Sequence, residues 1–211
     1  LRRALFRGEQ LHMGDEQYRA AVAALIDPLL RSDAGGGDLT AEALGLAEGR
    51  ASAQVLVKEP GVAAGIEEFM WLLTRRDIAV KALKEDGAAI QRGDVLAEIE
   101  GQRGSLLLCE RTMLNLLQRM SGIATMTRQM QERVARRSSQ TSFGRAASTA
   151  RTRSDRAPST ARTHVVATRK TPWGLLDKRA VHLGGGGTHR LSLSDAILIK
   201  NNHLALLGSR E

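Results

Sequence analysis

Five basic side chains in the last quarter of the sequence are spaced to act together: Arg169, Lys170, His189, Arg190 and Lys200. Arg169 and Lys170 lie in Thr168-Arg169-Lys170-Thr171, directly after the apolar run Val165-Val166-Ala167. His189-Arg190 follows the glycine run 184–187, and Lys200 closes the apolar run Ala196-Ile197-Leu198-Ile199. A cation just past the end of an apolar run marks the C-terminal mouth of a parallel strand, where α/β barrels keep their chemistry. Cations gathered at one mouth repel unless an anion joins them, so the spacing predicts an anionic ligand. Arginine suits bidentate carboxylate recognition, and lysine supplies a point charge. A sixth cation, Arg111 in Glu110-Arg111-Thr112-Met113-Leu114-Asn115, reads as the start of a helix. There it opposes the helix dipole, so it serves something other than helix stability. Taken singly, these residues have plainer readings. Arg111 would be a solvated surface arginine, Arg169-Lys170 an extension of an arginine-rich stretch, and a single histidine is more often structural.

The elements that must position these residues can be read from periodicity. Gly14 to Arg31 carries Tyr18, Ala21, Val22, Leu25, Ile26 and Leu29 at helical spacing, which predicts an amphipathic helix. A glycine-rich loop, Asp33 to Gly37, follows. Ala51 to Val57 reads as a strand, Val62 to Leu73 as a helix opening after Pro60-Gly61, and Ile78 to Leu83 as a strand. From Gly87 to Gly101, alternation at Val95, Ala97 and Ile99 follows the turn Arg92-Gly93-Asp94. This stretch resembles the hammerhead fold of lipoyl and biotinyl carriers. A carrier needs a lysine at an exposed hairpin tip, and none lies between Gly87 and Arg111, so a structural sandwich is expected. Arg111 to Arg133 predicts a long helix with a kink near Ser121-Gly122. Ala135 to Thr163 is almost wholly Arg, Ser, Thr and Ala, and repeats Ser-Thr-Ala-Arg-Thr at 148–152 and 159–163. It is expected to lack regular structure, because it has too little apolar surface to offset chain entropy.

Composition bounds the function classes. A chain of 211 residues suits one large domain or two small ones, and its 42% hydrophobic content supports a core. The net charge of +8 invites a nucleic-acid reading. Yet Arg133 to Lys170 holds ten Arg and Lys against one acid, Asp155, while the rest carries 21 bases and 22 acids. The basicity therefore belongs to one segment and not to the folded part. Cys109 is the only cysteine, so no internal disulfide can form, and a reducing, cytoplasmic setting is the simpler reading. No apolar run reaches membrane-spanning length. No Cys/His cluster suggests zinc. The glycine run 184–187 is not a dinucleotide fingerprint, because no G-x-G-x-x-G helix entry follows. The first twelve residues are expected to be a leader outside the fold, with Met13 a plausible natural start.

The chain also resembles the quinolinate phosphoribosyltransferases, the carboxylating nicotinate-nucleotide pyrophosphorylases of NAD biosynthesis. The matching pieces are Gly37-Asp38-Leu39-Thr40, Lys58-Glu59-Pro60-Gly61-Val62-Ala63-Ala64-Gly65, Glu110 to Asn115, Ser121-Gly122-Ile123-Ala124-Thr125 and the stretch from Thr168 to His203. They occur in the family's order and cover roughly 34–133 and 165–207. Each is weak alone, and together they are specific. The resemblance implies an α/β fold with two parts. The first is an N-terminal α/β, barrel-sandwich-like domain at 13–108. The second is an incomplete α/β barrel of the type II phosphoribosyltransferase kind at 109–211, interrupted at about 135–163. It implies the reaction of quinolinate with phosphoribosyl pyrophosphate to give nicotinate mononucleotide, carbon dioxide and pyrophosphate.

By the same resemblance, Arg169, Lys170, His189 and Arg190 hold quinolinate and the phosphoribosyl donor. Lys200 meets donor phosphates or substrate, and Lys170 and Lys200 are the catalytic pair. Arg111 reaches into the neighbouring subunit of a homodimer. The family also implies Mg2+, positioned by acidic residues expected beyond Glu211, so the chain is expected to be a truncated member with impaired turnover. Thr188 stands where the family more often has asparagine, and Asn201 where aspartate is more usual. The alternative is a non-catalytic protein: a pseudoenzyme fragment, or a nucleic-acid binder using the basic segment 133–170.

Overall fold

The structure is a computed structural model that describes residues 5–46, 48–144 and 163–207. Its first long element, α1 (Glu16–Ala34), is capped by Asp15, whose carboxylate accepts the Tyr18 N–H at 2.8 Å. Tyr18, Val22, Ile26 and Leu30 recur every fourth residue and form the buried stripe. Leu29, expected on that stripe, is 40% exposed instead. The Gly37-Asp38-Leu39-Thr40 motif is a helix start. Asp38 accepts the N–H groups of Thr40 and Ala41, both at 3.0 Å, and opens α2 (Leu39–Ala43).

A three-stranded antiparallel sheet follows, in the order β1 (Arg50–Leu56), β5 (Val95–Gln102), β3 (Ala79–Ala82). A two-stranded ribbon pairs β2 (Gly61–Val62) with β4 (Ala89–Ile90), also antiparallel. The helix expected from Val62 begins only at Ile66, as α3 (Ile66–Thr74). Val62 is held in the ribbon, and Gly65 takes a left-handed φ of 94° at the N-cap. Asp86 then accepts the Ile66 and Glu67 N–H groups at 2.9 and 3.3 Å.

The expected helix from Arg111 to Arg133 is part of a longer one, α4 (Arg103–Gly144), which starts directly after β5 and runs on through Ser121-Gly122. Ser121 and Thr125, four residues apart on one helix face, receive the Ala64 and Val62 N–H groups at 3.1 and 2.9 Å. Their hydroxyls bind a neighbouring segment, not the helix's own carbonyls, which fits an unbroken helix. A Cβ on Gly61 would lie 2.5 Å from Thr125 Oγ1, so that segment needs glycine to lie so close to α4. The helix overruns the start of the stretch expected to lack regular structure, because alanine and arginine readily propagate a helix already formed. Residues 145–162 lie outside the described residues.

After them, Val166 and Gly187 form a parallel bridge, with Gly187 N–H donating to the Val165 carbonyl at 2.9 Å and Ala167 N–H to the Gly187 carbonyl at 2.7 Å. Between the two bridge residues lies α5 (Leu175–Leu183), so this is one strand–helix–strand turn in miniature. The expected strand at Ala196–Ile199 does not form. Ile197 and Ile199 are 94% and 67% exposed, and α6 (Asn201–Leu207) follows. A strand needs a partner backbone, and none among the described residues pairs with this run.

One cluster of buried side chains runs from Leu11 through α1, α3 and α4 to Ala180. The boundary expected after residue 108 therefore falls inside α4. The segment expected as a leader also joins the fold over 5–12. Leu11 is buried, and the carbonyl of Leu5 accepts the His189 N–H at 3.1 Å. Among the described residues, no helix is long and apolar enough to cross a membrane.

Candidate functional site

The parallel bridge sets two loops side by side: one carries Arg169 and Lys170, the other His189 and Arg190. Arg169 and Lys170 are exposed, and the Lys170 N–H folds back to Thr168 Oγ1 at 3.1 Å. His189 is one of two non-glycine residues with positive φ among the described residues, at 58°. Its Nδ1 accepts the Arg190 N–H at 2.8 Å, so the neutral ring carries its proton on Nε2, as a donor. Burial, then the charges of Lys178 and Arg190, hold the imidazole below its ordinary pKa. Arg190 is 5% exposed. Its Nη1 donates to the Ala196 carbonyl at 2.8 Å, and its buried Nε–H has no acceptor among the described residues.

Two residues of the site carried no expectation from the sequence: Lys178 and Asp195. Lys178, on α5, is 3% exposed and donates to the carbonyls of Thr188 at 2.7 Å and Arg190 at 2.9 Å. Its pKa is lowered by burial and by the charge of Arg169, while Asp195 opposes the shift. Asp195 accepts the N–H groups of Leu191 and Ser192 and pairs with Arg7 at 3.3 Å. Burial opposes its charge, but these N–H groups and Arg7 outweigh it and hold the carboxyl below the usual range. Arg169, Lys178, His189 and Arg190 thus lie within electrostatic reach of one another, with Asp195 the acid among them. The signal for Lys178 was its helix: Leu176, Ala180 and Leu183 at helical spacing imply an element whose neighbours turn inward.

The remaining expected residues, Lys170, Lys200 and Arg111, make no hydrogen bond or ion pair to this cluster among the described residues. Lys200 does not end a strand. It precedes α6, its N–H donating to His203 Nδ1 at 2.9 Å and its carbonyl accepting the His203 N–H at 2.9 Å. The side chains of Lys170 and Lys200 make no hydrogen bond or ion pair among the described residues. Arg111 sits well inside α4 and not at a helix start, so the dipole argument for it fails. It is exposed and lies 3.7 Å from Asp33 at the end of α1. Three cavities of about 610, 590 and 790 Å³ lie around the β1–β5–β3 sheet, the first two reaching the start of α4, and none is lined by Arg169, Lys170, His189, Arg190 or Lys200. Among the described residues, no group of three or more His, Cys, Asp or Glu comes together to hold a metal ion.

Comparison with known proteins bears on all of this. Residues 38–121 match the family model for the quinolinate phosphoribosyl transferase N-terminal domain, and 146–211 match that for the C-terminal domain. The chain is 36% identical over 189 residues to a protein of Methanothermobacter thermautotrophicus named as a probable nicotinate-nucleotide pyrophosphorylase (carboxylating). That match takes in 89% of this chain and 60% of the relative. A Bacillus subtilis protein of the same name is 36% identical over 192 residues, covering 88% and 57% of the two chains. The fold is similar to the crystal structure of NadC from Streptococcus pyogenes, with a TM-score of 0.69 and 34% identity over 90% of this chain and 61% of that one. It is also similar to the nicotinate-nucleotide pyrophosphorylase from Ehrlichia chaffeensis, with a TM-score of 0.70 and 30% identity over 89% and 61%. The chain spans about three fifths of the length of these relatives. With both halves of one family's pattern matched in order, on a fold that its solved members share, the chain belongs to the quinolinate phosphoribosyltransferase family.

Proposed function

We propose that this chain binds quinolinate and phosphoribosyl pyrophosphate and takes part in forming nicotinate mononucleotide, carbon dioxide and pyrophosphate. The observation that carries this reading is the gathering of Arg169, Lys178, His189 and Arg190 around one parallel bridge, with Asp195 the one acid beside them among the described residues. Such a cluster is stable beside a ligand that brings two negative charges, and quinolinate carries two carboxylates. Arg190, whose Nε–H has no acceptor among the described residues, and the exposed Arg169 would hold the carboxylates. His189 offers a neutral Nε2–H donor. Lys170 and Lys200 remain as solvated cations for donor phosphates.

The pyridine nitrogen forms its bond to C1 of the ribose as the bond from C1 to pyrophosphate oxygen breaks, and the leaving group takes that electron pair. The bond from ring C2 to its carboxylate then breaks. Carbon dioxide departs, the electron pair stays on C2, and C2 takes a proton. The protein's task in both steps is alignment and neutralisation of charge. We further infer that the chain works in the cytoplasm, as its single buried thiol Cys109 allows, and as a homodimer in which Arg111 serves the neighbouring site.

Because the relatives are longer, binding is the direct test. Isothermal titration of the purified chain with quinolinate should show binding that Arg190→Ala weakens roughly tenfold to a hundredfold, the loss of a charged hydrogen-bond partner. Nicotinate, with one carboxylate, should bind more weakly than quinolinate. Quinolinate affinity indifferent to Arg190→Ala and Arg169→Ala would remove the basis of this reading.

A further inference from the structure

We propose that Lys178 is a positioning residue of the dicarboxylate site: its buried ammonium grips the backbone on both sides of His189 and holds that residue in the left-handed conformation that presents its ring. The inference rests on the quinolinate reading above. The two carbonyls that Lys178 Nζ reaches, Thr188 at 2.7 Å and Arg190 at 2.9 Å, flank His189 directly. His189, at φ 58°, is in a region that a side chain with a Cβ adopts only under external constraint. The constraint comes from Lys178 on one side and from Leu5, whose carbonyl accepts the His189 N–H, on the other. Thr188, with no exposed surface, adds a third tie by accepting the Arg7 N–H at 3.0 Å. The conformation also sets the ring: Nδ1 is engaged by the Arg190 N–H, so Nε2 is the nitrogen left for a ligand.

Packing alone is a poor reason for this lysine. The charged groups facing it are two cations, Arg169 and Arg190, and one acid, Asp195, with the His189 ring beside them. A buried ammonium among cations is unfavourable, and an apolar side chain of similar volume would fill the space at less cost. The grip is also firmly based. The next residue, Arg179, is 4% exposed and pairs with Glu68 at 2.6 Å and with Asp86 and Glu67 at 3.0 Å each. These pairs tie α5 to α3 and to the loop before β4, so the helix that carries Lys178 cannot easily follow the loop it holds.

The test combines binding with a spectroscopic reading of the backbone. Lys178→Met keeps the volume and removes the donors, whereas Lys178→Arg keeps donors for both carbonyls. In wild type, the His189 ¹³Cα and ¹³Cβ shifts should report a left-handed residue. In Lys178→Met they should move toward extended values, and quinolinate affinity should fall by roughly tenfold or more. Lys178→Arg should recover most of both. Should Lys178→Met fail to fold, Lys178→Leu, which also lacks a donor, is read in the same way. Unchanged His189 shifts in the donor-free variant would overturn the grip. Shifts that move while quinolinate affinity holds would overturn the positioning role. A wild-type chain that binds no quinolinate would sink the substrate reading, and the His189 shifts would still decide the grip.

Discussion

A carboxylate with no exposed surface, Glu68, sits between a tyrosine hydroxyl and a guanidinium. Its Oε1 accepts from Tyr18 Oη at 2.7 Å and lies 2.6 Å from Arg179 Nε. Arg179 faces Asp86 and Glu67 as well, so one cation serves three acids. Burial, reinforced by the Asp86 charge, raises the Glu68 carboxyl to about 7 against the pull of Arg179. Burial and the Glu68 charge likewise push the Tyr18 hydroxyl up, and it stays a donor. The unfolded value of Glu68 is 4.5, so the folded chain binds this proton the more tightly. The stabilisation is therefore complete below about 4.5 and is lost as pH rises through about 7. Glu68→Gln is neutral at every pH and still accepts from Tyr18. Thermal melts from pH 4.5 to 7.5 should show wild type losing stability relative to the variant across that window. Parallel curves would mean that Glu68 is ionised throughout.

The contact of two helices decides the next scale. The end of α5 meets α4 with no room to spare: a Cβ on Gly184 would lie 2.4 Å from the Ala124 carbonyl oxygen and 2.7 Å from Thr127 Cβ. Side chains of α4 complete the end of α5. Arg128 Nε donates to the Gly184 carbonyl at 3.3 Å, and Gln131 Nε2 to the Gly185 carbonyl at 2.8 Å. Gly184→Ala should separate the helices and cost about 1–3 kcal/mol, read as a lowered urea midpoint. It should also weaken quinolinate binding, because α5 carries Lys178. A variant with an unshifted midpoint would show that the contact yields without cost. Elements with a buried stripe were legible in the sequence. Tyr18, Val22 and Ile26 mark α1, and Met113, Leu117 and Met120 mark the middle of α4. The start of α4 was not, because Gln102-Arg103-Gly104 looks like a turn and becomes helix only by following β5 directly.

At the scale of the molecule, apolar surface gathers at one end of the described chain. Ile197, Leu206, Leu193, Ile199 and Leu207 are 94%, 88%, 69%, 67% and 67% exposed. Contiguous exposed apolar residues lower colloidal stability without adding to the fold. Ile197→Glu with Leu206→Glu should raise the concentration at which light scattering begins. The melting temperature should stay within the small range of surface substitutions, about 0.5 kcal/mol in stability terms. Loss of melting temperature on the same scale as a core substitution would show that this end is packed.

The sequence by itself determined the family and carried the expectation of an anionic ligand. The order of its motifs, and cations spaced after apolar runs, are local properties that survive without a structure. It determined, too, that α1 is amphipathic, since periodicity acts within a few residues. Only the tertiary structure decided which cations meet. Arg169, His189 and Arg190 come together because one parallel bridge joins Val166 to Gly187, a pairing across 21 residues that no local pattern encodes. Lys200 does not end a strand, because Ala196–Ile199 finds none to pair with among the described residues, and Arg111 turns to Asp33. Lys178 carried no expectation from the sequence. That it is buried, and grips the residues on either side of His189, depends on where α5 lands, and its landing is set by the ion pairs of Arg179 and the close fit at Gly184.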